Sequence, residues 1–127
     1  MIILITIICS IAGGLGTFMC TEKLKWYPLK SSAILSLVIA TPFEICNFNN
    51  YLDIPLIFFG ASFVGMSSND IFNKLQITIA ALLFGFSHFL LSSNFNFIGG
   101  TLGTTACLSC LFIVVLSRYS KEAKANL

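Results

Sequence analysis

The feature that most constrains this chain is a series of five apolar runs separated by short polar segments. Only 9% of its 127 residues are charged and 57% are hydrophobic, whereas about a quarter of a soluble domain is charged. A helix needs about 20 mostly apolar residues to cross about 30 Å of hydrocarbon. These patterns predict an all-α integral membrane protein, a bundle of about five transmembrane helices joined by short loops and forming one polytopic domain. The predicted spans are about 1–20, 31–46, 52–68, 75–91 and 97–116.

The third run is the weakest, because its apolar core at 54–66 would extend only about 20 Å as a helix. It is either a span or a re-entrant segment. If all five runs cross, every basic residue falls on the side of the loops after the first and third runs and of the tail at 117–127. Cytoplasmic loops are enriched in Lys and Arg, so five spans are favoured, with the N-terminus outside and the C-terminus inside. The basic residues are Lys23, Lys25, Lys30, Lys74, Arg118, Lys121 and Lys124.

The segments that flank the runs give local signals. Lys residues follow the first run instead of preceding it, so this run is interpreted as a retained span, not as a cleaved signal peptide. The polar segment 67–70 predicts a turn and an N-cap for the helix that follows. A bacterial inner (plasma) membrane is the default location for so small a multi-pass chain.

Clusters of small residues occur in the first, third and fifth runs. Each cluster contains two small residues four positions apart, which lie on one helix face and let two backbones approach closely. We therefore predict that these residues pack helices together. The alternative is that the glycines mark a pore or a broken helix along a solute path. The pairs are Ala12 with Gly16, Ala61 with Gly65, and Gly99 with Gly103.

Three ionisable residues are predicted near the outer side of the membrane: Glu44, Asp53 and His88. Histidine titrates near physiological pH, and a nearby carboxylate raises its pKa. A cluster of the three would bind a cation, relay a proton or contact a small solute. The alternative is that the carboxylates are simply interfacial and that His88 is hydrogen-bonded to a neighbouring helix.

Cys107 and Cys110 form a C-x-x-C pair within the fifth run. Such a pair is a weak candidate for thiol redox chemistry, or for a soft-metal site completed by Cys20, Met19 or Met66. Buried cysteines more commonly act as small apolar residues, so neither a metal nor another cofactor is predicted.

The sequence contains no phosphate-binding, zinc-protease or serine-hydrolase motif, and the protein is predicted not to be an enzyme. A net charge of +2 gives no basic face for nucleic acid. The first functional hypothesis is a transporter or channel-like subunit for an ion or small solute that acts as an oligomer. The second is a non-transporting accessory or assembly subunit of a membrane complex. A membrane thiol oxidoreductase that uses Cys107 and Cys110 is the third. The predicted partners are the lipid bilayer and either further copies of the chain or a membrane partner subunit.

Overall fold

The helical prediction can be compared with a computed structural model, which describes residues 1–46, 54–94 and 100–127. Within these ranges the chain forms five α-helices and no β-strand, which confirms the all-helical prediction. Four of them, α1, α2, α4 and α5, are long and apolar enough to cross a membrane. The helices are α1 (Ile2–Leu24), α2 (Pro28–Ile45), α3 (Ile54–Gly65), α4 (Lys74–Ser92) and α5 (Gly100–Ala125).

The junction between α1 and α2 is a tight turn over residues 25–27. Lys25 ends α1 in the left-handed conformation, with φ 50° and ψ 32°. Pro28 is the first residue of α2, a position at which its fixed φ suits the helix and its missing N–H costs nothing. The turn therefore reverses the chain at once, and α2 packs back against α1.

The junction between α3 and α4 differs from the prediction of an N-cap within 67–70. The N-cap of α4 is Asn73, whose backbone N–H donates to Oε1 of Gln76 at 3.0 Å. Residues 66–73 form turns instead, in which Ile71 and Phe72 both donate their N–H groups to the carbonyl of Ser68. Phe72 is buried in the core, and its burial explains why helix formation is delayed by several residues.

Helix α3 lies at the centre of the bundle. It contacts each of the other four helices, and α1 packs most extensively against α3 and α4. Among the described residues, α2 touches neither α4 nor α5, so α2 and α5 lie at opposite sides of the bundle. Large apolar side chains that are at most 2% exposed come from α1, α3, α4 and α5 and fill its centre: Phe18, Ile57, Val64, Ile77, Phe84 and Leu102.

The contacts of α1 establish the direction of two neighbouring helices. Gly13 faces the carbonyl of Phe58, and Thr17, one turn later, faces Gly65. Helices α1 and α3 therefore run in parallel. The contacts with α4 run in the opposite order: Ser10 contacts Ala81, whereas Glu22 at the end of α1 forms an ion pair with Lys74 at the start of α4.

Helices α2 and α5 complete an alternating arrangement. Ser32 of α2 contacts Ser62 of α3, while Ala40 shares a cleft with Pro55, so α2 and α3 are antiparallel. Gln76, near the start of α4, contacts Ser117, near the end of α5. Helices α1, α3 and α5 thus run in one direction and α2 and α4 in the other, which places all seven Lys and Arg residues at one end. We call it the basic end.

Two helices depart in length from the predicted spans. Helix α3 has 12 residues, which extend over about 18 Å, less than the predicted run 52–68. Helix α5 continues to Ala125, beyond the apolar run that ends near residue 116. The predicted tail at 117–127 is therefore largely helical and carries Arg118, Lys121 and Lys124 on a continuation of α5.

Candidate functional site

The three ionisable residues predicted to form an outer site are not brought together by the described part of the structure. Glu44 is exposed in the last turn of α2. His88 is only 4% exposed in α4, with its ring centroid 6.2 Å from that of Phe84 one turn earlier. Since α2 and α4 share no contact in the described ranges, Glu44 and His88 do not form a pair within one chain. Asp53 lies outside the described residues.

Close helix packing occurs where α1 crosses α3. A Cβ added at Gly65 would overlap the carbonyl oxygen of Gly14 and lie 2.8 Å from Cβ of Thr17. One added at Gly13 would lie 2.7 Å from the carbonyl oxygen of Phe58. Two backbones approach this closely only where side chains are absent. Gly13, Gly14 and Gly65 therefore determine the separation of α1 and α3.

The small-residue pairs predicted from sequence occupy different environments. Ala61 and Gly65 are both buried against α1. On α1 itself the closest approach is at Gly13 and Gly14, whereas a Cβ at Gly16 would meet only Cδ1 of Leu35, at 3.8 Å. Ala12, the partner of Gly16 in the predicted pair, is exposed.

The small residues of α5 make no such contact. A Cβ added at Gly103 would have no atom within 4 Å among the described residues. The same holds for Gly100, and Gly99 lies outside the described residues. Against the described part of the chain, the glycines at the start of α5 therefore form an open surface.

Hydroxyl groups connect the helices at positions that the sequence did not single out. Ser10 of α1 donates to the carbonyl of Ala81 in α4 at 2.8 Å. The hydroxyls of Ser32 in α2 and Ser62 in α3 are 2.7 Å apart, and all three serines are at most 1% exposed. Such bonds between helices are typical of membrane bundles. The sequence signal for the Ser10 contact was its position on the same face of α1 as Gly13 and Gly14, three and four residues later.

The two cysteines of the C-x-x-C pair line a shallow cleft of about 280 Å³ between α3 and α5. Cys107 is exposed and Cys110 is half-buried, with its Sγ 3.4 Å from the hydroxyl of Ser67. Met66 lines the same cleft. The cysteines are free thiols, and no group of three or more His, Cys, Asp or Glu residues suited to a metal occurs in the described ranges.

A second cleft, of about 330 Å³, lies at the basic end between α5 and the loop that precedes α4. We call it the basic cleft. Nε2 of Gln76 donates to Oγ of Ser117 across it at 3.0 Å. Its apolar wall consists of Ile71, Phe72, Ile113 and Val114. Its polar lining consists of Asp70, Gln76, Ser117, Arg118 and Lys121.

The basic cleft was missed because its members are far apart in the sequence and ordinary in type. In the sequence, Arg118 and Lys121 indicate only the topology, and Gln76 belongs to no recognisable motif. The one available signal was their spacing of three residues, which places two basic side chains on one helix face. No family model, curated protein or solved structure matches this chain.

Proposed function

We propose that the chain crosses the membrane five times, with its N-terminus outside and its basic end in the cytoplasm. The alternating helix directions support this arrangement, because a re-entrant third segment would return the chain to the end at which α2 finishes. Helix α4 instead begins beside the C-terminal end of α1. The collection of all basic residues at this end follows the bias of cytoplasmic loops.

The short length of α3 is compatible with a crossing. Non-helical backbone at membrane depth is tolerated where protein surrounds it, and α3 is contacted by all four other helices. The 66–73 segment that follows α3 satisfies part of its backbone through turns within itself. A central helix shorter than the hydrocarbon thickness is therefore physically acceptable in this bundle.

Cysteine labelling in intact cells tests the crossing of α3. Cys46 lies at the end of α2, and Asn69 lies beyond α3 at the basic end. Two single-cysteine variants are compared, one retaining Cys46 and the other carrying Asn69→Cys. We expect a membrane-impermeant maleimide to label Cys46 and to reach Asn69→Cys only after permeabilisation. Equal access at both positions would make the third run re-entrant.

We further propose that the chain is a subunit of an oligomeric transporter or channel for an ion or small solute. The observation that carries this proposal is the open face of α5, on which Gly100, Gly103, Thr104 and Cys107 share one side of the helix. Small residues let helices of neighbouring copies approach closely, and threonine and cysteine add polarity to such a surface. The packed centre of one copy favours a solute path between copies. Glu44, Asp53 and His88 remain the candidate ionisable groups.

Reconstitution in liposomes tests this proposal. Thr104 and Thr41 are both exposed, and each hydroxyl bonds to the carbonyl of an earlier residue in its own helix. We expect Thr104→Leu to reduce both self-association and solute flux, whereas the matched change Thr41→Leu on α2 leaves both unchanged. The proposal would be strongly contradicted if the wild-type protein moved no ion or small solute and if His88→Ala and Glu44→Ala behaved like the wild type in the same liposome assay.

A second candidate function is that of a non-transporting accessory or assembly subunit. The observation that favours it is the filled interior, where Phe84, Ile57 and Leu102 are at most 2% exposed. Co-purification of one stoichiometric membrane partner, with no flux by the isolated protein, would establish this alternative.

Thiol oxidoreductase activity is the third candidate, favoured only by the shared cleft of Cys107 and Cys110. Oxidation of both thiols to a disulfide would release two electrons and two protons to an oxidised acceptor such as a quinone. If Cys107→Ser combined with Cys110→Ser preserves whatever function the protein performs, this candidate is eliminated.

A further inference from the structure

The basic cleft has the chemistry of a site for the headgroup of an anionic phospholipid. Arg118 and Lys121 lie three residues apart on α5 and both line the cleft. Within the described residues neither side chain forms an ion pair, since the ion pair found there joins Lys74 to Glu22. Two unneutralised cations on one face attract a phosphate, and the guanidinium of arginine is well shaped to bind it.

The floor of the cleft adds neutral donors. Oγ of Ser117 accepts a hydrogen bond from Nε2 of Gln76, which leaves the hydroxyl proton of Ser117 available to donate. The amide group of Gln76 is held in place from its other side, where Oε1 accepts from the N–H of Asn73 at 3.0 Å. This chain of bonds orients Ser117 before any ligand arrives.

The acidic groups near the cleft work against an anion but do not balance the cations. Asp70 lines the cleft itself, and Glu122 follows Lys121 on α5. Seven basic and three acidic side chains belong to this end of the bundle, so the field around the cleft is positive. Basic pockets between helices on the cytoplasmic side of membranes bind anionic lipid headgroups.

The apolar wall distinguishes a lipid from a free anion. Ile71 is 63% exposed in the lining of the cleft and Val114 is half-buried there, so both present apolar surface to a ligand, while Ile113 and Phe72 are buried behind them. The polar groups begin at Ser117, directly after the apolar run of α5 ends near residue 116. A phosphate at Arg118 would therefore hold the attached acyl chains beside an apolar surface.

We propose that the basic cleft binds the phosphate of an anionic phospholipid in the leaflet that faces the basic end. The inference rests on the proposed membrane arrangement but on no transport activity. The cationic side chains bind the phosphate, Ser117 donates to one of its oxygens, and the apolar wall packs against the upper part of the acyl chains.

The test uses the full chain, purified in neutral detergent. Phosphatidylglycerol or phosphatidylcholine is added in mixed micelles, and retained lipid is counted by native mass spectrometry while thermal unfolding is followed. We expect phosphatidylglycerol to be retained and to raise the unfolding temperature, and phosphatidylcholine to do neither. Equal effects of the two lipids would refute the proposal.

A pair of charge variants separates a defined site from diffuse attraction. Arg118→Gln with Lys121→Gln is expected to weaken phosphatidylglycerol binding about tenfold or more. Lys23→Gln with Lys25→Gln removes the same charge from the same end, and binding is expected to stay within about twofold. An equal loss in both double variants would show that only the overall charge matters, and would overturn the proposal.

Two further variants distinguish loss of the binding site from misfolding of the protein. Asp70→Asn removes the carboxylate that repels phosphate, so it is expected to tighten phosphatidylglycerol binding severalfold, a gain that no unfolded variant would show. Ser117→Ala keeps every charge and is expected to weaken binding severalfold. If neither substitution changes binding, the cleft is not the site.

Free anions provide the last comparison. Inorganic phosphate and glycerophosphate are expected to give no stabilisation at concentrations that far exceed those of the lipid, because they lack acyl chains. Stabilisation by phosphate alone would identify a soluble anion site and overturn the lipid assignment. Labelling of Cys46 and Asn69→Cys tests the membrane arrangement separately. If the two positions are accessible from opposite sides of the membrane but phosphatidylglycerol does not bind, the lipid proposal alone is refuted.

Discussion

At the residue scale, the positions that matter most are those at which a missing side chain or an unusual backbone angle permits a contact. Gly65 and Gly14 bring the backbones of α3 and α1 together. Lys25 reverses the chain with a left-handed conformation that side chains disfavour. The glycines are recognisable in the sequence because they belong to clusters of small residues. The left-handed conformation of Lys25 is not, because Lys25 lies among ordinary polar residues.

We expect Gly65→Ala to lower the stability of the protein in detergent by about 1–3 kcal/mol, the usual cost of overpacking. The added Cβ would meet the backbone of Gly14 and Cβ of Thr17, which cannot move without separating α1 from α3. Gly16→Ala is the matched control, because its Cβ would meet only Leu35 at an ordinary distance. Unfolding curves for the two variants give the measurement. Equal losses would place the close contact elsewhere.

Lys25→Gly is expected to raise stability by about 1 kcal/mol, because a left-handed residue with a side chain costs about 1–2 kcal/mol. Lys23 lies in the last turn of α1, where Lys23→Gly is expected to cost up to about 1 kcal/mol in helix propensity. Both changes remove one positive charge from the same end of the bundle. Opposite shifts in the unfolding midpoint support the assigned backbone, and shifts of the same sign contradict it.

At the scale of helices, polar bonds hold α2 and α4 to the centre of the bundle. Helix α2 is the least enclosed of the membrane-length helices, and Ser32 forms its buried hydrogen bond to α3. Helix α4 has two different attachments, through Ser10 of α1 and Gln76 to α5. In lipid, hydrophobicity gives little drive for helices to associate. These bonds and close packing therefore specify which helix faces meet.

A double-mutant cycle with Ser32→Ala and Ser62→Ala is expected to give a coupling energy near 0.6 kcal/mol and no more than about 1.7 kcal/mol, the range found in a membrane bundle. The two hydroxyls are 2.7 Å apart and buried. Ser32→Ala combined with Ser10→Ala is the control, because those residues share no bond and their effects should add within about 0.5 kcal/mol. A zero coupling for Ser32 and Ser62 would mean that each bonds elsewhere.

At the scale of the whole molecule, the order of helices and the placement of charge agree. Alternation brings the α1–α2 turn, the loop before α4 and the end of α5 to one end, and these segments carry the basic residues. The ion pair between Lys74 and Glu22 has side chains that are 56% and 41% exposed. Surface pairs of this kind contribute little stability, so we propose that the charges act instead in orientation and in attraction to anionic lipid.

Crosslinking tests this arrangement in a background without native cysteines. Glu22→Cys with Lys74→Cys places two thiols where the ion pair now lies, at 3.2 Å between charged atoms. A short bis-maleimide is expected to link them efficiently within one chain. Glu22→Cys with Ser93→Cys, at the opposite end of α4, is expected to give no link. Efficient linking of this second pair would contradict the antiparallel packing of α1 and α4.

Much of the element pattern was predictable because long apolar runs have few structural solutions in lipid. The four apolar helices that are long enough to cross a membrane followed from the lengths of the apolar runs. The start of α4 at Asn73 did not, because burial of Phe72 decides it and burial depends on helices distant in sequence. Likewise Glu44 and His88 share a predicted depth, but only lateral packing shows that their helices do not touch.

The sequence by itself determined that this is an all-helical chain with membrane-length apolar helices, because composition and periodicity act residue by residue. Tertiary structure alone decided that α3 is the central helix, that α1 uses Gly13 and Gly14 instead of Gly16, and that Gln76 meets Ser117 beside Arg118. Those outcomes depend on which faces pack, and small residues fit many partners equally well. The apolar runs therefore determine that the chain forms long apolar helices. Close backbone contacts and buried hydroxyl groups determine how those helices pack.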